Sequence, residues 1–146
     1  MVDRARIVHL TTVHHPLDPR IYLKQARSLA RAGFDVWLLA RGEGLSLTAS
    51  ELEDVTFVPL PGGRARTPRL RRQAVAIREI RRIEPDVIHI HDPELLPLAR
   101  WLKRSLGAKV IYDKHEDYGG RKGIEGRALA ALESWAFAWV DHVILA

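Results

Sequence analysis

The sequence predicts a three-layer α/β/α domain built around a six-stranded, mostly parallel sheet. Short β-rich runs alternate with helical stretches along the whole chain, two helices open on an Asp-Pro pair just past a strand, and Gly33, Pro85 and Gly107 stop three of the helices. At 146 residues the chain has the length of one domain, 1–146, large enough to bury an apolar core without staples. It is 47% hydrophobic and 28% charged, a balance foreign to disordered chains. It has no cysteine, which excludes a disulfide scaffold, thiolate metal sites and a cysteine nucleophile. No apolar run approaches the roughly 18 residues of a membrane span, and no signal peptide is visible, so a cytoplasmic domain is expected.

The elements follow in order. Arg6 to Thr12 reads as the first strand. Asp18-Pro19 then supplies an N-cap with proline in the first turn of a helix that stops at Gly33. Val36 to Ala40 is the second strand and Val55 to Leu60 the third, with a polar loop between them. A helix from about Arg69 to Ile83 ends before Pro85. Asp86 to His91 is the fourth strand, and Asp92-Pro93 repeats the capping device for a helix that reaches Leu106. Lys109 to Asp113 is the fifth strand, Ala128 to Val140 the last helix and His142 to Leu145 the sixth strand. Right-handed crossovers then give a Rossmann-like sheet in the order 3-2-1-4-5-6, with a crevice beyond the carboxyl ends of strands one and four.

That crevice collects the chemistry. His14, His15, Asp18 and Arg20 follow strand one; His91, Asp92 and Glu94 follow strand four; His115, Glu116, Asp117 and Tyr118 follow strand five. Imidazoles, carboxylates and cations on one rim suit a polyhydroxylated or phosphorylated ligand. Asp18 and Asp92 are read first as helix caps and second as ligand contacts. His89 is read as a hydrogen-bonded core histidine, and no metal site is expected. There is no G-x-G-x-x-G, P-loop or G-x-S-x-G, and Ser105 and Ser134 fall inside helices. His115 is the candidate catalytic group, an imidazole able to accept or share the proton of a reacting hydroxyl.

The chain carries 23 Lys+Arg against 18 Asp+Glu, for a net charge of +5. The excess is densest at Arg64, Arg66, Arg69, Arg71, Arg72, Arg78 and Arg82, on a helix whose inner face is read as Leu70, Ala74, Ile77, Ile80 and Ile83. Its outer face is either merely solvated or a docking face for an anionic membrane surface. Nucleic acid fits less well, since no recognition motif accompanies the charge. The last helix places Trp135 and Trp139 on one face and Phe137 off it, which leaves a partner surface, such as a homodimer contact, beside ordinary core packing.

The ordered set HPLDPRIY at 15–22, SLARAGFDV at 28–36, PDVIHIHDPELLP at 85–97, KVIYDKHED at 109–117 and VDHVILA at 140–146 resembles the N-terminal domain of GT-B glycosyltransferases, in the family 4 group of retaining enzymes. The resemblance covers essentially the whole chain. It implies the acceptor side of an interdomain cleft, with a glycan or lipid-linked acceptor, and a C-terminal domain, absent here, that binds the nucleotide sugar. It implies no metal cofactor, places His115 against the transferred sugar, and makes the chain inactive alone. In place of the Gly-rich loop that some members carry after strand one stands His14 to Arg20. The alternative reading is a non-catalytic Rossmann-like binding or interaction module.

Overall fold

The computed structural model describes residues 3–42, 45, 52–62, 66–115 and 123–145, with residues 66–68 described by their backbone only. Six parallel strands, β1 Arg6–Leu10, β2 Asp35–Arg41, β3 Val55–Leu60, β4 Val87–Ile90, β5 Lys109–Lys114 and β6 His142–Leu145, form one sheet in the order β3-β2-β1-β4-β5-β6. The expected order is therefore the observed one. The apolar runs sit where burial on both faces needs them: Val8, Leu10, Leu38, Leu39, Ile88, Ile90 and Val110 on the four inner strands are fully enclosed. Pro59 lies in β3, the edge strand, where a missing N–H costs the ladder nothing.

The two faces carry different layers. One is covered by a π-helix, Pro19–Ala26, running on into α1, Arg27–Arg31; Ile21, Tyr22 and Ala26 pack on Val36, Leu38 and Ala40. The other receives α2, Arg66–Ile83, against β1 and β3, and α3, Leu96–Leu106, against β4 and β5. The final helix, α4, Ile124–Ala136, packs on α3 and on the 3-10 turn Pro93–Leu95. Glu133 ties α4 to the sheet, because its buried carboxylate accepts from the Tyr112 hydroxyl and lies 3.1 Å from Lys114 Nζ.

Several local readings change. The first helix is wound as a π-helix over most of its length, where α-periodicity was expected, and it stops as read at Gly33, φ +96. Asp18 caps it as expected, accepting from the Arg20 and Ile21 amides. Asp92 does not cap: its side chain turns away from the helix toward Thr11 and Thr12, which are pulled out of β1. The last helix begins and ends four residues earlier than read, because the apolar pattern runs on through a turn that holds Trp139 against the core. In α2 the inward stripe is Arg72, Ala76, Ile80 and Ile83; Leu70 is 72% exposed and Ala74 exposed, against the reading that put both inside.

Candidate functional site

Beneath the crevice lies a buried polar network. The Asp113 carboxylate, at the end of β5, is fully enclosed, and its Oδ2 meets Arg20 Nη2 at 2.7 Å, Gln25 Nε2 at 2.9 Å and His91 Nδ1 at 3.3 Å. His91 Nε2 continues to His9 Nδ1 at 3.0 Å, so the network reaches across β4 into β1. Arg20 and Gln25 are five residues apart. On an α-helix that spacing turns one side chain well away from the other, whereas i→i+5 winding stacks them one turn apart. The π-helix is what lets both hold one carboxylate.

Electrostatics follow from this enclosure. Burial alone would raise the Asp113 pKa, but the hydrogen bonds from His91, Gln25 and Arg20 prevail and hold it well below the carboxylate range. Burial pushes His9 and His91 below the ordinary imidazole value and His89 down to about 3. All three are therefore neutral in the fold. Among the described residues, His9, His89 and His91 are the group that could offer a metal three nitrogens, within 4.8 Å of one another. Their rings are stacked or tilted, with centroids 4.5–5.3 Å apart, and a metal would have to displace the His9–His91 hydrogen bond. His89 is a core histidine as read, though its Nε2 has no hydrogen-bond partner.

Above the network, two histidines meet at the rim. His115 Nδ1 lies 3.2 Å from the Asp113 carbonyl, which can only accept, so Nδ1 carries the proton and Nε2 of the neutral ring is an acceptor. His14 Nε2 stands 3.1 Å from that atom and must be the donor. His14 is itself flanked by carboxylates, Asp18 at 3.7 Å from Nδ1 and Asp92 at 3.7 Å from Nε2. The loop carrying His14 is fixed from both sides. Asp92 accepts from the hydroxyls of Thr11 and Thr12 at 3.0 Å, and Arg72 donates to the Thr12 and Pro61 carbonyls at 3.1 and 2.8 Å.

The structure thus brings His14, Asp18, Asp92 and His115 together and separates the others by role. His91 is too enclosed to touch a ligand and acts through Asp113. Arg20 is engaged by Asp113, His15 is exposed on the same loop, and Glu94 lies 4.0 Å from Arg69. Glu116, Asp117, Tyr118 and Arg64 lie outside the described residues, as does the Arg66 side chain. Arg69, Arg71, Arg78 and Arg82 are exposed on α2, with Glu79 paired to both Arg78 and Arg82. Arg72 is a correction: it is buried, because its guanidinium is consumed by the two loop carbonyls. Sequence reading missed Asp113, Gln25 and His9. A charged residue closing an otherwise apolar strand was the available signal for Asp113.

The sequence profile of Glycosyltransferase Family 4 matches residues 20–145. The chain belongs to that family. Its GT-B, Rossmann-like fold agrees with two solved structures. Sucrose-phosphate synthase from Thermosynechococcus elongatus aligns with a TM-score of 0.74 at 14% identity, over 96% of this chain and 42% of that one. MurG from Acinetobacter baumannii aligns with a TM-score of 0.55 at 13% identity, over 99% and 41%. The chain therefore spans about two fifths of the length of either glycosyltransferase-fold neighbour. A comparison with curated protein sequences finds no match. This family 4 domain is a glycosyltransferase N-terminal domain.

The three neutral histidines set an acid limit on its stability. In the unfolded chain they take up protons below about pH 6.5 while the folded chain does not, so stability falls as pH drops through that value, by up to about 1.4 kcal/mol per pH unit for each ring. Asp113, with its pKa lowered, contributes stability above about pH 4 and loses it only in stronger acid. Urea midpoints should fall clearly between pH 7 and pH 5, and His89→Gln should reduce the slope. Equal midpoints at the two pH values would contradict the neutral state of the cluster.

Proposed function

We propose that this domain is the acceptor-binding half of a retaining glycosyltransferase, which moves a hexosyl or similar group from a nucleotide sugar to a glycan or lipid-linked acceptor in polysaccharide biosynthesis. A following C-terminal domain binds most of the donor, and the transfer uses no metal cofactor. The observation that carries the reading is the His14–His115 pair at the crevice rim. Because Nδ1 of His115 is committed to the Asp113 carbonyl, its Nε2 is directed to a hydrogen-bond donor. An acceptor hydroxyl that takes the place of His14 would donate to that nitrogen and be oriented for attack on the sugar.

The outer face of α2 supports a second part of the reading, attachment at the inner face of a membrane. No helix among the described residues is long and apolar enough to cross one. Arg69 and Arg71 flank Leu70, which is 72% exposed, and Arg78 and Arg82 are exposed two and three turns further along the helix. A leucine among arginines suits an anionic interface, the cations meeting headgroups and the side chain entering the acyl boundary. Glu79 tempers Arg78 and Arg82 and Glu94 lies 4.0 Å from Arg69, so Arg71 carries more of the attraction than these three. Trp135, 41% exposed, and Phe137, 45% exposed, favour self-association through the last helix as the alternative, non-catalytic reading.

Two outcomes are expected. The 146-residue chain alone should give no turnover with UDP-, GDP- or ADP-sugars. A polypeptide that also carries the donor domain should give turnover, reduced about 100-fold or more by His115→Ala. Robust transfer by the chain alone would contradict its being half an enzyme. In co-sedimentation, vesicles containing anionic lipid should retain the chain and neutral vesicles should not, with Arg71→Glu and Leu70→Ser weakening retention; equal binding to both vesicles, or to neither, would remove the membrane claim.

A further inference from the structure

Three imidazoles stand together on the sheet face that the π-helix covers. His9 is in register with Leu38 on one side and His89 on the other, and Leu38 packs under that helix; His91, two residues past His89, shares the face. None of the three is more than 3% exposed. One ring nitrogen from each lies within 4.8 Å of the other two. Hydrogen bonds leave the cluster incomplete. His91 Nδ1 faces the ionised Asp113 carboxylate at 3.3 Å and so carries the proton, which leaves the Nε2 lone pair to accept from His9 Nδ1 at 3.0 Å. His9 Nε2 and His89 Nε2 are sealed from solvent with no hydrogen-bond partner. Buried nitrogens of this kind cost free energy unless something meets them.

A histidine that ligates a metal commonly donates its other ring N–H to a carboxylate, which fixes the tautomer, and Asp113 already holds His91 in that way. The 3.0 Å between His9 Nδ1 and His91 Nε2 falls a few tenths short of the roughly 3.3 Å between two nitrogens bound tetrahedrally at about 2.0–2.1 Å. Three imidazoles select a late first-row ion of the zinc class over Mg²⁺ or Ca²⁺, which take oxygen ligands. We propose that His9, His89 and His91 form a structural site for such an ion, bound through His91 Nε2, His9 Nδ1 and a nitrogen of His89. The ion replaces the His9–His91 hydrogen bond: the His9 proton passes from Nδ1 to Nε2, and none is lost. Rotation about χ2, a broad torsion in histidine, brings the third nitrogen in. Asp113 and Asp92 offset the ion's charge, against the opposing Arg20. Beneath the crevice the ion touches no substrate. It clamps β1 to β4, the strands that lead into the His14 loop and Asp92.

Titration of the chelator-treated 146-residue chain with Zn²⁺ and Co²⁺ at neutral pH, with Mg²⁺ as the control, tests the assignment. Because the cluster is enclosed, each ion is also supplied during refolding from urea. One equivalent of Zn²⁺ should bind and raise the unfolding temperature, Co²⁺ should develop visible absorption bands, and Mg²⁺ should do neither. Imidazole NMR of the unaltered chain should place the metal-bound shifts on His9, His89 and His91. His9→Gln and His89→Gln should each weaken Zn²⁺ about tenfold or more, as should Asp113→Asn by loosening His91. His14→Gln and His142→Gln, outside the cluster, should bind as the unaltered chain does. Where a buried variant fails to fold, the NMR shifts of the unaltered chain decide. Absence of saturable binding by either route, metal-bound shifts confined to His14 and His115, or undiminished affinity in folded His89→Gln would overturn the proposal. None of these outcomes touches the transferase reading, which stands on the His14–His115 pair.

Discussion

A carboxylate sealed inside a sheet must be met by charge and hydrogen bonds or it would not remain ionised, and Asp113 is met from three directions at once. Arg20 and Gln25 reach it from the π-helix and His91 from β4, with His9 behind His91 on β1. This single anchor joins the strand that carries His115 to the helix that begins where the His14 loop ends. The rim geometry depends on it. His115 lies two residues beyond Asp113 and takes its tautomer from the Asp113 carbonyl, while Arg20 fixes the far end of the loop from which His14 approaches.

The supports around this anchor share a design. Polar groups in and beside the sheet are spent on tying neighbouring elements together: Asp92 holds the Thr11 and Thr12 hydroxyls, Arg72 the Thr12 and Pro61 carbonyls, and Glu133 the Tyr112 hydroxyl and the Lys114 ammonium. Among the described residues, the rim still offers the acceptor Nε2 of His115, the carboxylate of Asp18 and the imidazole of His14. This chain spans about two fifths of the length of the two solved neighbours that share its fold.

Much of the fold was legible because local pattern and global fold agree. Alternating apolar runs gave the strands, Asp18-Pro19 gave the first helix start, Gly33 and Gly107 gave helix ends with φ of +96 and +72, and right-handed crossovers left one strand order. The site was legible as a rim but not as a mechanism. Winding is chosen by a tertiary partner, so nothing in the run from Pro19 to Ala26 announces a π-helix. Arg72 defeated the apolar-face rule because two loop carbonyls satisfy it inside, and Leu70 was displaced outward with it. Asp92 looked like Asp18 in its dipeptide but has two threonines across the crevice to bind, a contact between strands that sequence spacing cannot supply.

The Arg20–Asp113 contact organises the crevice. It is tested most directly by a double-mutant cycle of Arg20→Gln and Asp113→Asn, read by urea unfolding at neutral pH. Each single change leaves a buried partner uncompensated, so the coupling energy should be about 2 kcal/mol or more, with the His115 imidazole resonances displaced in both single variants. A coupling below about 0.5 kcal/mol with His115 unmoved would mean that the carboxylate is a bystander and that the rim is held by something else.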